Sequence, residues 1–184
     1  MIPPLYGALS SVSAGRASPA PQRLVSLAFA IHWQAQSEWC WAAVAESVGA
    51  FYASSPPCQC ELASGPLGMD CCTLVNKAAG NKAESLTRAL QLVGHLGQVL
   101  TRQPTFAEVD AELTTGNPLA ARFLWSTGTA HFVAIVGCEL DSSGVEWIEI
   151  DDPLFGYTRS PLSSLQTTYR NNPLQWTHTY LTVP

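Results

Sequence analysis

The chain has 184 residues, a formal net charge of −5, 47% hydrophobic residues and only 12% charged ones. That length supports one domain with a real core, and the sparse charge implies a globular fold with a rather uncharged surface. No basic patch favours nucleic acid and no apolar run reaches the length of a membrane span, so neither a nucleic-acid nor a membrane partner is expected.

Residues 1–22 are rich in Pro, Ala, Ser and Gly, with Arg16 their only charge, and read as a flexible arm before a single domain over 23–184. Leu24 to Ile31 is apolar but lacks a basic start and a clear small-residue cleavage site, so it reads as a buried strand rather than a signal peptide. Trp41, Val44, Ala45 and Val48 recur at helical spacing, which predicts a buried helix over 38–53 with Ser37 as its cap. Ser54 to Pro57 breaks it. A short helix after Cys58 should turn at Gly65-Pro66 and Gly68. Leu86, Leu90 and Val93 mark a helix over 84–96. Thr105 and Glu108 make a capping box for Phe106 to Leu113, and Gly116-Asn117-Pro118 turns the chain.

From there the texture becomes that of strands: Leu119–Trp125, His131–Glu139, Val145–Asp151 and Leu174–Val183, with Asp141-Ser142-Ser143-Gly144 as a hairpin turn. Helices in the first half and strands in the second predict an α+β fold.

Four residues carry chemistry. Cys40 lies in the first turn of a predicted helix, where the helix dipole favours a thiolate. His131 opens a strand and can act as base and then as acid. Asp152 ends the next strand and can orient the imidazole, as the third member of such triads does. Gln34, six residues before Cys40, can join the Cys40 backbone N–H in binding an oxyanion. Each residue has an ordinary reading alone: a core thiol, a structural histidine, an Asp-Pro turn. Their joint order on the needed elements points to a thiol hydrolase. His32 reads as a cleft-wall or structural residue, His95 as a partly exposed residue of the second helix, His178 as structural, and Cys138 as a core residue.

With Gln34-x5-Cys40-Trp41, His131-Phe132-Val133-Ala134-Ile135-Val136-Gly137 and Ile148-Glu149-Ile150-Asp151-Asp152-Pro153 in place, the protein resembles the papain-like cysteine peptidases, most of all the compact bacterial branch with the AvrRpt2-type proteases. The resemblance spans about residues 25–160. It implies a two-lobed fold with the site between a helical lobe and an antiparallel sheet lobe. It also implies peptide hydrolysis by Cys40, His131, Asp152 and Gln34 through a thioester, with Asp152 chosen over Asp151 because that branch uses the Asp of an Asp-Pro pair. A polypeptide substrate, no cofactor and a monomer follow as expectations. Isopeptidase, amidase or acyl-transfer chemistry on the same triad, or a non-catalytic binding module, is the alternative. No long inhibitory propeptide is visible, and the short arm is the one candidate for self-trimming.

Cys58, Cys60, Cys71 and Cys72 crowd into fifteen residues. Two disulfides from Cys71 and Cys72 back to Cys58 and Cys60, a four-thiolate zinc site and free packing thiols all fit the spacing. The resemblance favours disulfides stapling the helical lobe. Disulfides would imply delivery outside the producing cell, and a reduced cluster the cytoplasm.

Overall fold

The apolar runs in the second half of the sequence build one antiparallel sheet, buried on both faces at its centre, and helices pack against it. In the computed structural model, residues 23–53 and 55–184 are described; the arm assigned to residues 1–22 lies outside them. The strands are β1 (Arg23–Ser26), β2 (Leu96–Leu100), β3 (Leu119–Trp125), β4 (Ala130–Leu140), β5 (Glu146–Asp152), β6 (Gly156–Pro161), β7 (Thr168–Tyr169) and β8 (Asn172–Thr182). The main path runs β2-β8-β3-β4-β5-β6, with β1 added to β4 and β7 to β8. The helices are α1 (Cys40–Tyr52), α2 (Gln59–Leu67), α3 (Leu74–Ala79), α4 (Leu86–Leu92) and α5 (Phe106–Thr114).

Each face of the sheet buries its own core. On the helical side Trp41, Val44, Val48, Leu62, Leu86 and Leu90 meet Ala120, Phe132 and Tyr180. On the other side Val109 and Leu113 of α5 meet Phe123, Val133, Ile135, Ile148 and Trp176. Phe132 and Val133 therefore bury on opposite faces, as the two-residue period of a strand requires. Helix α1 is buried on nearly every side, from Cys40 through Gly49 with only Glu46 partly open. It tolerates this because it alternates large side chains with Ala42, Ala43, Ala45 and Gly49. A Cβ at Gly49 would stand 2.7 Å from Cβ of Pro56, so the returning segment needs the missing side chain.

Several boundaries differ from those the sequence predicts. Helix α1 starts at Cys40 with Trp39 at its cap position and no side-chain cap bond. Ser37 Oγ instead accepts from Asn81 Nδ2 at 2.9 Å. Helix α2 runs through Gly65-Pro66 and stops at Gly68, whose φ of +65° suits glycine. The helix expected over 84–96 is shorter. Gly94 turns at φ +80° and Leu96–Leu100 becomes a strand beside β8. Strands β6 and β7 and helix α3 have no counterpart among the expected elements. The apolar 24–31 stretch gives only the short β1, largely exposed, paired with β4.

Among the four clustered cysteines the structure makes one disulfide, Cys60–Cys72, with Cα atoms 4.9 Å apart. Cys58 keeps an exposed thiol and Cys71 a buried one. The expected pair of bridges is therefore a single bridge: Cys71 faces the helical core, away from solvent. The sulfurs of Cys58, Cys60 and Cys72 lie within 4.8 Å of one another, but with two of them bonded only Cys58 keeps a thiol there. A bridge over so short a loop contributes about 3 kcal/mol.

Candidate active site

The start of α1 is fixed by the segment that follows α3. Trp39 Nε1 donates to the Gly80 carbonyl at 2.8 Å and Trp41 Nε1 to the Lys82 carbonyl at 3.1 Å. Asn81 bridges the same place, accepting from the Glu38 N–H at 2.9 Å and donating to Ser37. These contacts hold Cys40 as the first helical residue, only 6% exposed, where backbone N–H groups lack intrahelical partners.

His131 is the second residue of β4, and Asp152 the last of β5. The antiparallel register of the two strands brings His131 and Asp152 to one edge of the sheet. His131 Nε2 and Asp152 Oδ1 are 2.9 Å apart. With Nε2 so occupied, Nδ1 is the ring atom left for Cys40, whose side chain interacts electrostatically with this ring. Burial disfavours the charged ring, but the bond to Asp152 and the charges of Asp152 and Cys40 outweigh it and lift His131 from 6.5 to about 9.

Asp152 is fully buried. Its Oδ1 also accepts from the backbone N–H of Leu154 at 2.8 Å and of Phe155 at 3.1 Å, and its Oδ2 accepts from the Tyr169 hydroxyl at 3.0 Å. Burial would raise its titration, yet the bond and charge from His131, with the Leu154 and Tyr169 bonds, hold the carboxyl below its ordinary value. Asp151 goes the other way, raised by burial and by the charge of Glu149. The two neighbouring carboxylates thus have different environments, and only Asp152 meets the histidine. Trp125 stacks along His131 with ring centres 6.3 Å apart, and Phe155 meets it edge-on at 6.1 Å.

Gln34 lies beside this edge: its backbone N–H donates to the Pro153 carbonyl at 2.9 Å. Its side-chain amide, however, donates to the carbonyls of Gln36 at 3.0 Å and Ser37 at 2.7 Å, and its Oε1 is buried without a donor among the described residues. Gln59, which no sequence motif singles out, clamps the residues on either side of Gln34. Its Oε1 accepts from the Ala35 N–H at 2.7 Å, and its Nε2 donates to the Trp33 carbonyl at 3.0 Å and to Glu46 of α1 at 2.8 Å. Tyr169, Trp125 and Phe155 also escape the sequence motifs. They sit at strand ends or in turns far apart in sequence, and no spacing rule connects them to His131. His32 pairs with Glu46 at 3.1 Å, and His95 Nδ1 meets the Val183 carbonyl at 2.9 Å, both apart from the Cys40–His131 pair.

The profile of the family described as papain-like cysteine protease AvrRpt2 matches residues 23–170. The similar solved structures include two. A double glycine motif protease from an AMS/PCAT transporter, in complex with the leader peptide, is 17% identical with a TM-score of 0.49, the match covering 86% of the present protein and 95% of that one. The Pseudomonas avirulence protein AvrPphB is 13% identical with a TM-score of 0.33, the match covering 67% of the present protein and 70% of that one. No curated protein matches. The profile spans α1, β4 and β5 together with the loops that support them, and the protein belongs to the AvrRpt2 family of papain-like cysteine proteases.

Proposed function

We propose that Cys40 attacks a peptide carbonyl, His131 moves the proton, Asp152 orients His131, and water releases the acid from the thioester. The observation that carries this reading is the buried Asp152–His131 hydrogen bond, with His131 in electrostatic contact with Cys40 at the head of α1. In the attack, the Cys40 sulfur bonds to the carbonyl carbon and the oxygen becomes an oxyanion. The amide C–N bond then breaks as the imidazolium gives its proton to the leaving nitrogen. Water attacks the thioester, its proton passing to His131, and the thiol leaves. The Cys40 backbone N–H is one donor to the oxyanion. The Gln34 amide is the second, once it turns off the carbonyls of Gln36 and Ser37. This chemistry requires no metal or organic cofactor, because nucleophile, acid and base are all side chains.

The test is turnover of a protein substrate by wild type and Cys40→Ala, with product masses. Cys40→Ala is expected to abolish turnover while the fold persists, and wild-type products are expected to sum to substrate plus water. Retained turnover in Cys40→Ala would overturn the assignment of the nucleophile. Products carrying an added amine instead of water would replace hydrolysis by acyl transfer.

A further inference from the structure

Two cavities flank the reacting pair. One, of about 470 Å³, is lined by Cys40 with Trp41, Phe132, Arg122, Glu38 and Glu84. The other, of about 310 Å³, is lined by His131 but not by Cys40. The scissile carbonyl bonds to Cys40 and the leaving nitrogen takes its proton from His131. The part of the substrate that follows the cut therefore runs past His131 and over the second cavity. This assignment of sides rests on the peptidase mechanism proposed above.

The leaving-side cavity has apolar walls from Trp125, Phe155 and Pro173, and polar groups from Ser126, Thr127 and Asn172. Arg170 is its one other charged lining residue, and no Asp or Glu lines it. Asp152 lies behind it, fully buried and hydrogen-bonded four times. In a protein of net charge −5 this is an anion-accepting surface. The Arg170 guanidinium lies 4.6 Å over the Phe155 ring and bears on the Tyr169 hydroxyl. Arg23, Arg102 and Arg159 each pair with a carboxylate, whereas Arg170 pairs with none among the described residues.

The backbone adds an independent observation. Arg170 and Asn171 form the two-residue turn between β7 and β8, with φ of 51° and 63°. Such turns favour Asn, Asp and Gly, and an arginine there costs about 1 kcal/mol. A strained arginine held over an aromatic ring at the mouth of a catalytic cavity is the kind of outlier that marks a functional contact.

We propose that Arg170 binds a substrate carboxylate on the leaving side of the scissile bond, so that this protease takes peptides bearing an acidic side chain or a free carboxyl terminus just after the cut. A planar guanidinium offers a two-pronged match to a carboxylate, and the ring beneath it pre-orients the fork. The contact is made equally before and during reaction, so its loss raises KM and leaves kcat unchanged. Arg170 is exposed, and solvent screening holds the effect to about tenfold.

The experiment uses the full-length protein and a chymotryptic digest of casein, with new peptide termini read by mass spectrometry. Wild type is expected to cut ahead of Asp, Glu or a nearby free carboxyl terminus in excess of their abundance. Arg170→Ala should lose that excess, with KM up about tenfold for the best peptide, and Arg170→Glu should turn the preference toward Lys and Arg. Resynthesis of one cut peptide with Glu→Gln, or with an amidated carboxyl terminus, separates the two sources of the carboxylate. An unchanged preference in Arg170→Glu would overturn the proposal, as would a fall in kcat at constant KM, which marks a purely structural role through Tyr169. If Cys40 reacts with a small thiol-directed epoxide but no peptide is cut, the peptidase reading fails and the proposal fails with it.

Discussion

On the sheet side of the site, the Asp152 carboxylate receives four hydrogen bonds, one each from His131, Leu154, Phe155 and Tyr169. On the helix side, both N–H groups of the Gln34 amide are spent on carbonyls of its own loop, and its Oε1 receives nothing from the described residues. Under the proposed mechanism, this difference divides the labour of catalysis in time. The acid–base pair is oriented before substrate arrives, so no reorganisation is needed when the proton moves. In that mechanism the second oxyanion donor becomes available only when Gln34 turns, which ties it to occupation of the cleft.

That contrast can be broken by mutation, and the largest effect is expected from its best-held member. Asp152→Ala should lower kcat by about 10³- to 10⁴-fold, as loss of the orienting carboxylate does in related triads, while Asp151→Ala stays near wild type. Equal losses, measured by steady-state turnover, would remove the distinction between the two. Gln34→Ala comes next, with kcat down about 10²-fold and unfolding free energy within about 1 kcal/mol of wild type, because the resting amide already leaves one oxygen unpaired. A Gln34→Ala variant that loses stability but keeps its rate would make the residue structural. Tyr169→Phe removes one bond to a buried carboxylate and should cost about 1–3 kcal/mol in denaturant unfolding, with a smaller loss of rate.

The pH dependence sharpens the same comparison from the sheet side. His131 sits at about 9 in the folded protein against an ordinary 6.5. A raised basic group contributes stability that is complete below about 6.5 and disappears as pH rises through about 9. Asp152, held below its ordinary value, contributes above the usual carboxylate range and loses that contribution in acid. The thermal stability of wild type should therefore fall relative to Asp152→Ala as pH rises from about 6.5 to about 9, and thiol alkylation of Cys40 should show a change of slope near pH 9. A change near the ordinary 6.5 instead would mean that the imidazole is not held in its charged form.

How much of this was legible in the sequence follows from the range of each signal. Strands β3 and β4 and the Thr105–Glu108 capping box could be read closely, because apolar runs bounded by turn residues and caps are local patterns. The candidate order of Gln34, Cys40, His131 and Asp152 could be proposed because the chemistry restricts which residue types stand at element ends, and the structure brings His131 against Asp152. Tyr169 and Gln59 could not be, since each acts through a hydrogen bond to a residue 17 or more positions away that only the folded register creates. Helix α4 ends earlier than its pattern suggests because Gly94 and the edge pairing of β2 with β8 override a continuous apolar stripe. The cysteine cluster misleads for a simpler reason. Four thiols in fifteen residues suggest two bridges, but Cys71 points into the core beside Leu62 and Ala63.

The most direct measurement is intact mass spectrometry of the non-reduced protein after brief exposure to a small thiol-directed epoxide, for wild type and His131→Ala. A single adduct on Cys40 in wild type, lost in His131→Ala while Cys58 stays unlabelled in both, is the predicted result, because the activated thiol is the one whose charge an imidazole stabilises. Labelling of Cys58 in preference to Cys40, or equal labelling of Cys40 with and without His131, would contradict the account.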